Sequence, residues 1–248
     1  LDEQQKLTLD GMYDAEVAYQ DAMLGDFFDR LRTSGQLDNT LVIICADHGE
    51  HLGEKQFMGH SLSIYNELVR VPLIIRDPAQ RFEQGTTVDD VVSTRRLFHT
   101  VLGAAELANE SELALDLVHS QDSLAARDYV FAEAIPPQNV VNLMQKRQPE
   151  LVKTRSCDRV RRAVWMGNHK LIETEGSDAE LYDVLEDPTE ALDLSAILPE
   201  NVEVLQDCLQ AFAHRSEDQL SRTTALRATD YDDPEVRRRL EELGYLED

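Results

Sequence analysis

A chain of 248 residues is long enough to bury a sizeable core, as one large domain or as a domain with an appendage. Its formal net charge of −24 and pI near 4.5 argue against nucleic acid as a partner, because phosphate backbones select basic surfaces; so much acid reads as a solvated face. No run approaches the roughly eighteen apolar residues of a membrane span, no leader opens the chain, and Cys45, Cys157 and Cys208 are too widely spaced for a disulfide framework or a zinc knuckle. A soluble protein is expected, cytoplasmic or exported, since a leader is removable.

From about Asp10 to Arg32 the spacing predicts a helix, with Tyr13, Val17, Leu24, Phe27 or Phe28 and Leu31 on one stripe. Ser34-Gly35 stops it, and Asp38-Asn39 turns the chain into Leu41–Cys45, an apolar, mostly β-branched run of strand length. Such a run suits a strand buried on both faces of a parallel sheet. A helix, short loop and buried strand form half of a parallel crossover, so further strands are expected upstream of residue 1. The opening LDEQQKLTLDGMYDAE reads as the interior of a larger domain. After a polar loop to His60, Ser61 caps a short helix, and Val71 to Ile75 form a second strand with Pro72 near its start. The segment 41–76 is thus expected to be one parallel α/β unit.

Further along, residues 88–93 (VDDVVS) are expected as a short strand. Residues 94–107 follow as a helix with Leu97, Phe98, Val101 and Leu102 on one face. Residues 106–127 carry no strong pattern, Tyr129–Ala132 read as a strand, and a polar stretch runs from Pro136-Pro137 to about Arg159. RRAVWMG, HKLIETEG and AELYDV then read as three strands divided by turn residues, which makes an antiparallel sheet. Helical segments are expected near 188–195 and 199–216, with a last helix over 232–243.

Chemistry concentrates after the first strand, at Asp47, His48, Gly49 and Glu50. Open α/β sheets bind ligands just beyond the carboxyl ends of their strands, and Gly49 would let the backbone turn there. Asp47 and His48 can face one metal ion, and a carboxylate with an imidazole suits Mn, Zn or Fe better than Ca or Mg. On spacing alone, a turn aspartate beside a half-buried histidine is the favoured reading. His60, across the loop, can act as general acid toward a leaving group or hold an anionic substrate. Lys55 can add positive charge. His51 and Glu54 read as solvated loop residues, and His99, His119, His169 and His214 as structural histidines.

The run from Tyr13 to Arg76, with ADHGEHLGEKQFMGH at its centre, resembles the second half of a sulfatase catalytic domain, in the alkaline-phosphatase-like superfamily. VVSTRRLFHTVLGAA resembles the strand and helix that follow in that family. RAVWMGNHKLIETEGSDAELYDVLEDPTEALDL resembles its C-terminal antiparallel sheet, and RRRLEELGYLED its last helix. The resemblance implies an α/β fold: a mixed, largely parallel sheet flanked by helices, present in part, then a small antiparallel sheet with C-terminal helices. The expected division is residues 1–135 as the C-terminal half of the catalytic domain, 136–159 as a connecting segment and 160–248 as the sheet and helices.

It further implies a metal-dependent hydrolase of sulfate esters acting on a small anionic ester. One divalent ion (Ca, Mn or Mg, with Zn as an option) would be held by Asp47 and His48, and His60 and Lys55 would contact substrate. His60 departs from the lysine that many members carry there, and histidine occurs at that place in related phosphotransferases and phosphodiesterases. Arg96 and His99 replace a common Asp and Pro. The family's nucleophile, a formylglycine made from Cys or Ser in C/S-x-P/A-x-R, is expected upstream and not in this chain. Cys157 begins CDRVR, which does not fit; Ser123 begins SLAAR, which fits formally but in the wrong part of the fold. A fragment with little turnover of its own is therefore expected. The alternatives are a phosphodiesterase, phosphonate-ester hydrolase or phosphotransferase of the same superfamily, and a non-catalytic remnant or partner subunit.

Overall fold

The computed structural model of the protein describes residues 2–119, 129–227 and 238, with side chains described up to 216 and at Arg238. Ser123 and, Arg238 apart, the helix expected over 232–243 lie outside the described residues. The chain divides into two compact units, residues 1–205 and 206–248. The described part of the second is the later stretch of one long helix.

Helix α1 (Glu3–Thr33) begins well before the expected start because Asp2 and Gln5 form a reciprocal capping box. The Asp2 carboxylate accepts from the Gln5 N–H at 2.7 Å, and Gln5 Oε1 accepts from the Asp2 N–H at 3.0 Å. Gly35 follows in the left-handed region, at φ 73°, and ends the helix as expected. The apolar stripe is largely exposed: Tyr13, Val17 and Phe27 all face solvent.

Strand β1 (Val42–Cys45) pairs with β4 (Leu73–Arg76), Val42 lying opposite Arg76 and Cys45 opposite Leu73. The pair is antiparallel and β1 is only half-buried, which corrects the parallel unit expected over 41–76. The reason lies in the connection. It is spent on a hairpin, β2 (His51–Leu52) with β3 (Met58–Gly59), and on a single helical turn, α2 (Asn66–Val69). A parallel return takes a crossover, usually built on a full helix.

Residues 88–93 form no strand; they lead through turns into α3 (Arg96–Ala104). Its buried side is Arg96 and Thr100; of the expected face, Leu97 and Leu102 are half-buried and Phe98 and Val101 are exposed. A polar cluster draws that side in. Thr100 Oγ1 donates to the Arg96 carbonyl at 2.9 Å and accepts from the Leu117 N–H at 3.1 Å. Beside it Asp116 is buried, and a Cβ on Gly103 would meet its Oδ2 at 2.3 Å. Helix α4 (Glu110–Leu113), boxed by Asn109 and Glu112, adds structure to the expected surface excursion.

Four strands, β5 (Val130–Ala134), β6 (Arg161–Met166), β7 (His169–Thr174) and β8 (Glu180–Asp183), form an antiparallel sheet in chain order. β5 ends at the expected division near 135 and hydrogen-bonds β6 from beyond it. The stretch expected to be merely polar holds two helices, α5 (Gln138–Arg147) and α6 (Pro149–Thr154), because Val141 and Val152 are buried and anchor them. Residues 188–195 are turns rather than helix. The Asp187 carboxylate there accepts from Thr189 Oγ1 and from the Leu192 N–H, both at 2.8 Å, an arrangement that competes with a helical start. Helix α7 (Pro199–Arg227) follows. No described helix is long and apolar enough to cross a membrane.

Two apolar clusters tie the segment after the hairpin to the rest. Ile64 packs with Ala163, Trp165, Ile172 and Tyr182 of the four-stranded sheet. Phe57 and Leu62 pack with Val152 and Cys157. His60 sits between these anchors in sequence.

Candidate active site

Asp47 and His48 leave the end of β1, as expected. The backbone there is held by a close approach: the Gly49 N–H donates to the Leu68 carbonyl at 2.8 Å, and a Cβ on Gly49 would lie 2.0 Å from the Glu67 carbonyl oxygen. Glycine is thus required by contact with α2, not by the sharp turn expected of it.

The Asp47 carboxylate accepts from the His48 N–H at 2.9 Å, and its other oxygen lies 3.7 Å from His48 Nε2. His48 Nδ1 donates to the Gly49 carbonyl at 2.9 Å. A carbonyl can only accept, so that bond assigns the neutral ring's proton to Nδ1 and its lone pair to Nε2. A carboxylate oxygen and an imidazole lone pair side by side are a donor set that fits a divalent metal ion.

His60 joins them. Its ring stacks on His48 with centroids 4.3 Å apart and 21° between the planes. Glu50, to which the sequence assigns no role, accepts from His60 Nδ1 at 2.8 Å. Ligand atoms of His48, Glu50 and His60 lie within 4.8 Å of one another. The hairpin produces this meeting: His51 pairs with Gly59, so Glu50 and His60 flank the same end of the ladder.

Lys55 is placed elsewhere. Its ammonium donates to the Glu190 carbonyl at 2.6 Å and lies over the rings of Tyr65 and Tyr182, 4.5 and 5.4 Å from their centroids. It ties the hairpin to the four-stranded sheet instead of adding charge beside His60. His51 is not solvated but buried, with Nε2 2.6 Å from Ser63 Oγ, and burial pushes its imidazole below the usual value. Glu54, expected in solvent, accepts from Lys6 of α1 at 2.9 Å.

Behind the histidines lies a buried ion pair that the sequence reading missed. Lys170 and Glu190 are fully buried, with Nζ and Oε1 2.6 Å apart. Lys170 also donates to the Ile64 carbonyl at 2.7 Å, and Glu190 Oε2 accepts from the Asn66 N–H at 2.7 Å. Burial pushes the lysine down and the glutamate up, and each partner opposes the shift of the other. Glu180 similarly accepts from Tyr65 and Tyr182, whose hydroxyls are pushed up first by burial and then by its charge.

A model of the sulfatase family matches residues 2–107. That segment is similar to the sulfatase family. Choline-sulfatase of Rhizobium meliloti is 36% identical over 66 residues, which cover 27% of this chain and 13% of that protein. A solved chain in complex with its substrate D-glucosamine-2-N, 6-O-disulfate superposes with a TM-score of 0.61 at 20% identity, covering 88% of this chain and 41% of its own. The phosphonate monoester hydrolase of Agrobacterium radiobacter gives a TM-score of 0.57 at 21% identity, over 81% of this chain and 40% of that one. These likenesses show a shared mixed α/β, alkaline-phosphatase-like fold, which in this chain includes the four-stranded antiparallel sheet. The chain spans less than half the length of the relatives it matches. In the sulfatase segment, Asp47, His48, Glu50 and His60 all fall inside the family match.

Proposed function

We propose that this chain is the metal-bearing C-terminal part of a sulfatase-type hydrolase that cleaves sulfate esters. The observation that supports this most is the convergence of the Asp47 carboxylate and His48 Nε2, 3.7 Å apart, with the His60 ring stacked on His48. Asp47 and His48 would hold the divalent metal, which supplies polarisation of the ester's sulfuryl group when bound. An imidazole in the set favours Mn or Zn over Ca or Mg. His60, once protonated at Nε2 as well as Nδ1, gives the Nε2 proton to the departing oxygen and is left as the neutral Nδ1–H ring, which stabilises the charge that develops there. The nucleophile belongs to a part of the enzyme outside this chain, so the chain by itself turns over little or nothing.

Phosphoryl esters are the second reading, favoured by an imidazole at position 60 in place of an ammonium. One assay separates the two. The product of the whole reading frame is given an aryl sulfate, an aryl phosphate and a phosphonate monoester, with His60→Ala, His60→Lys and Asp47→Ala alongside. The sulfatase reading expects the sulfate to be turned over fastest and His60→Ala to lose about a hundredfold or more. Faster phosphonate turnover that His60→Lys abolishes would support the second reading. Metal content unchanged in Asp47→Ala and His48→Ala would overturn both in favour of a non-catalytic role.

A further inference from the structure

The hairpin that brings Glu50 to His60 selects one nitrogen of the ring. Glu50 precedes β2 and His60 follows β3, and the pairing of His51 with Gly59 fixes how far apart they stand. Gly59 adopts φ 79°, where a side chain would be strained, and a Cβ there would rest 3.7 Å from Glu50 Oε1. The turn at Gly59 therefore delivers His60 to the acid with nothing between them. A carboxylate is acceptor-only when ionised, so the contact of 2.8 Å places the ring proton on His60 Nδ1. His48, stacked beneath it, is anchored in the same sense by the Gly49 carbonyl.

We infer that Glu50 is the positioning residue of His60: it keeps one ring proton on Nδ1, so that Nε2 is the nitrogen that takes up a second proton from solvent and passes it to the departing oxygen. Two stacked imidazoles then share one polarity, each tied at Nδ1 to a fixed oxygen and each offering Nε2. On His48 that nitrogen would be left for the metal; on His60 it is left to carry a proton to the leaving group. The role assigned to Nε2 rests on the hydrolase reading, whereas the tautomer itself does not.

The test is a long-range proton–nitrogen correlation spectrum of the imidazoles, recorded on the metal-free chain above the histidine titration range. The His60 signals are assigned by their loss in His60→Asn. In the wild type, His60 and His48 are both expected to show a protonated Nδ1 and an unprotonated Nε2. Glu50→Gln, whose amide oxygen still accepts, should keep that pattern. Glu50→Ala should make the protonated and unprotonated nitrogens of His60 exchange places while His48 stays as it was. A merely structural role for Glu50 would move both rings or neither. Protonated Nε2 on His60 in the wild type overturns the inference without any variant, and so does Nδ1–H persisting in Glu50→Ala. Because no turnover is read, failure here is distinct from failure to hydrolyse a sulfate ester.

Discussion

The two sheets of the first unit differ in how they are covered, and the difference explains where chemistry sits. In the β1–β4 pair every residue of β1 is half-exposed and Ile74 is 59% exposed. In the four-stranded sheet Ala163, Val164, Leu171 and Leu181 are all wholly buried, and a lysine is buried with them. Asp47 and His48 project from the thin sheet, while His60 is carried by a segment fastened to the thick one through Ile64, and to Val152 and Cys157 through Phe57 and Leu62. Reactive side chains stay reachable because one support is thin, and they stay in place because the other is not.

The sharpest way to break this comparison is to cut the buried pair. Lys170→Met leaves Glu190 charged in the interior and is expected to cost about 3–5 kcal/mol, while the double variant Lys170→Met/Glu190→Leu should regain much of that loss. Urea unfolding followed by circular dichroism measures both, and a single variant as stable as the wild type would remove the thick sheet's anchoring role. Next in size is a matched truncation. Leu171→Ala is expected to lose about 2–5 kcal/mol and Ile74→Ala no more than about 0.5 kcal/mol; equal losses would erase the contrast between the sheets.

Gly49→Ala probes the join between Asp47-His48 and α2. The added methyl would overlap the Glu67 carbonyl, so a loss of about 1–3 kcal/mol and a weaker metal affinity by calorimetry are expected. The smallest effect is one of pH. Burial holds the His51 imidazole below its ordinary value. Below that ordinary value the unfolded chain takes up a proton that the folded chain refuses, so stability present above it is lost as the pH falls. The loss is at most about 1.4 kcal/mol per pH unit. The melting temperature should therefore drop more between about pH 7 and pH 5 in the wild type than in His51→Gln.

How much of this was legible follows from how local each cause is. The strands over 161–183 show in the sequence because their apolar runs are divided by Gly167-Asn168 and Gly176-Ser177-Asp178, and Gly167 and Gly176 do take positive φ. The direction of β4 does not show, since Val42 and Arg76 meet only after the chain has spent its connection on a hairpin. The buried side of α3 was misread because it carries an arginine and a threonine, and the threonine is held by the Leu117 N–H from later in the chain. Helices α5 and α6 were hidden by how few apolar residues hold them. Asp47, His48 and His60 were legible as a family motif, but their mutual geometry depends on the register of the hairpin. Nothing in the sequence singles out Lys170 as buried, since its partner Glu190 lies in a later turn, at φ 53°.

The hydrogen bond from Gly49 to Leu68 couples two parts of the chain as a gear couples two shafts. Leu68 belongs to α2, and α2 begins at Asn66, which is gripped by Glu190 and by the Pro188 carbonyl. A change in the turn at 188–190 thus displaces the reactive loop without touching any residue on it. Selection acting on that remote turn has a fine adjustment for the spacing between Asp47, His48 and His60, and can retune the site while its chemistry stays constant.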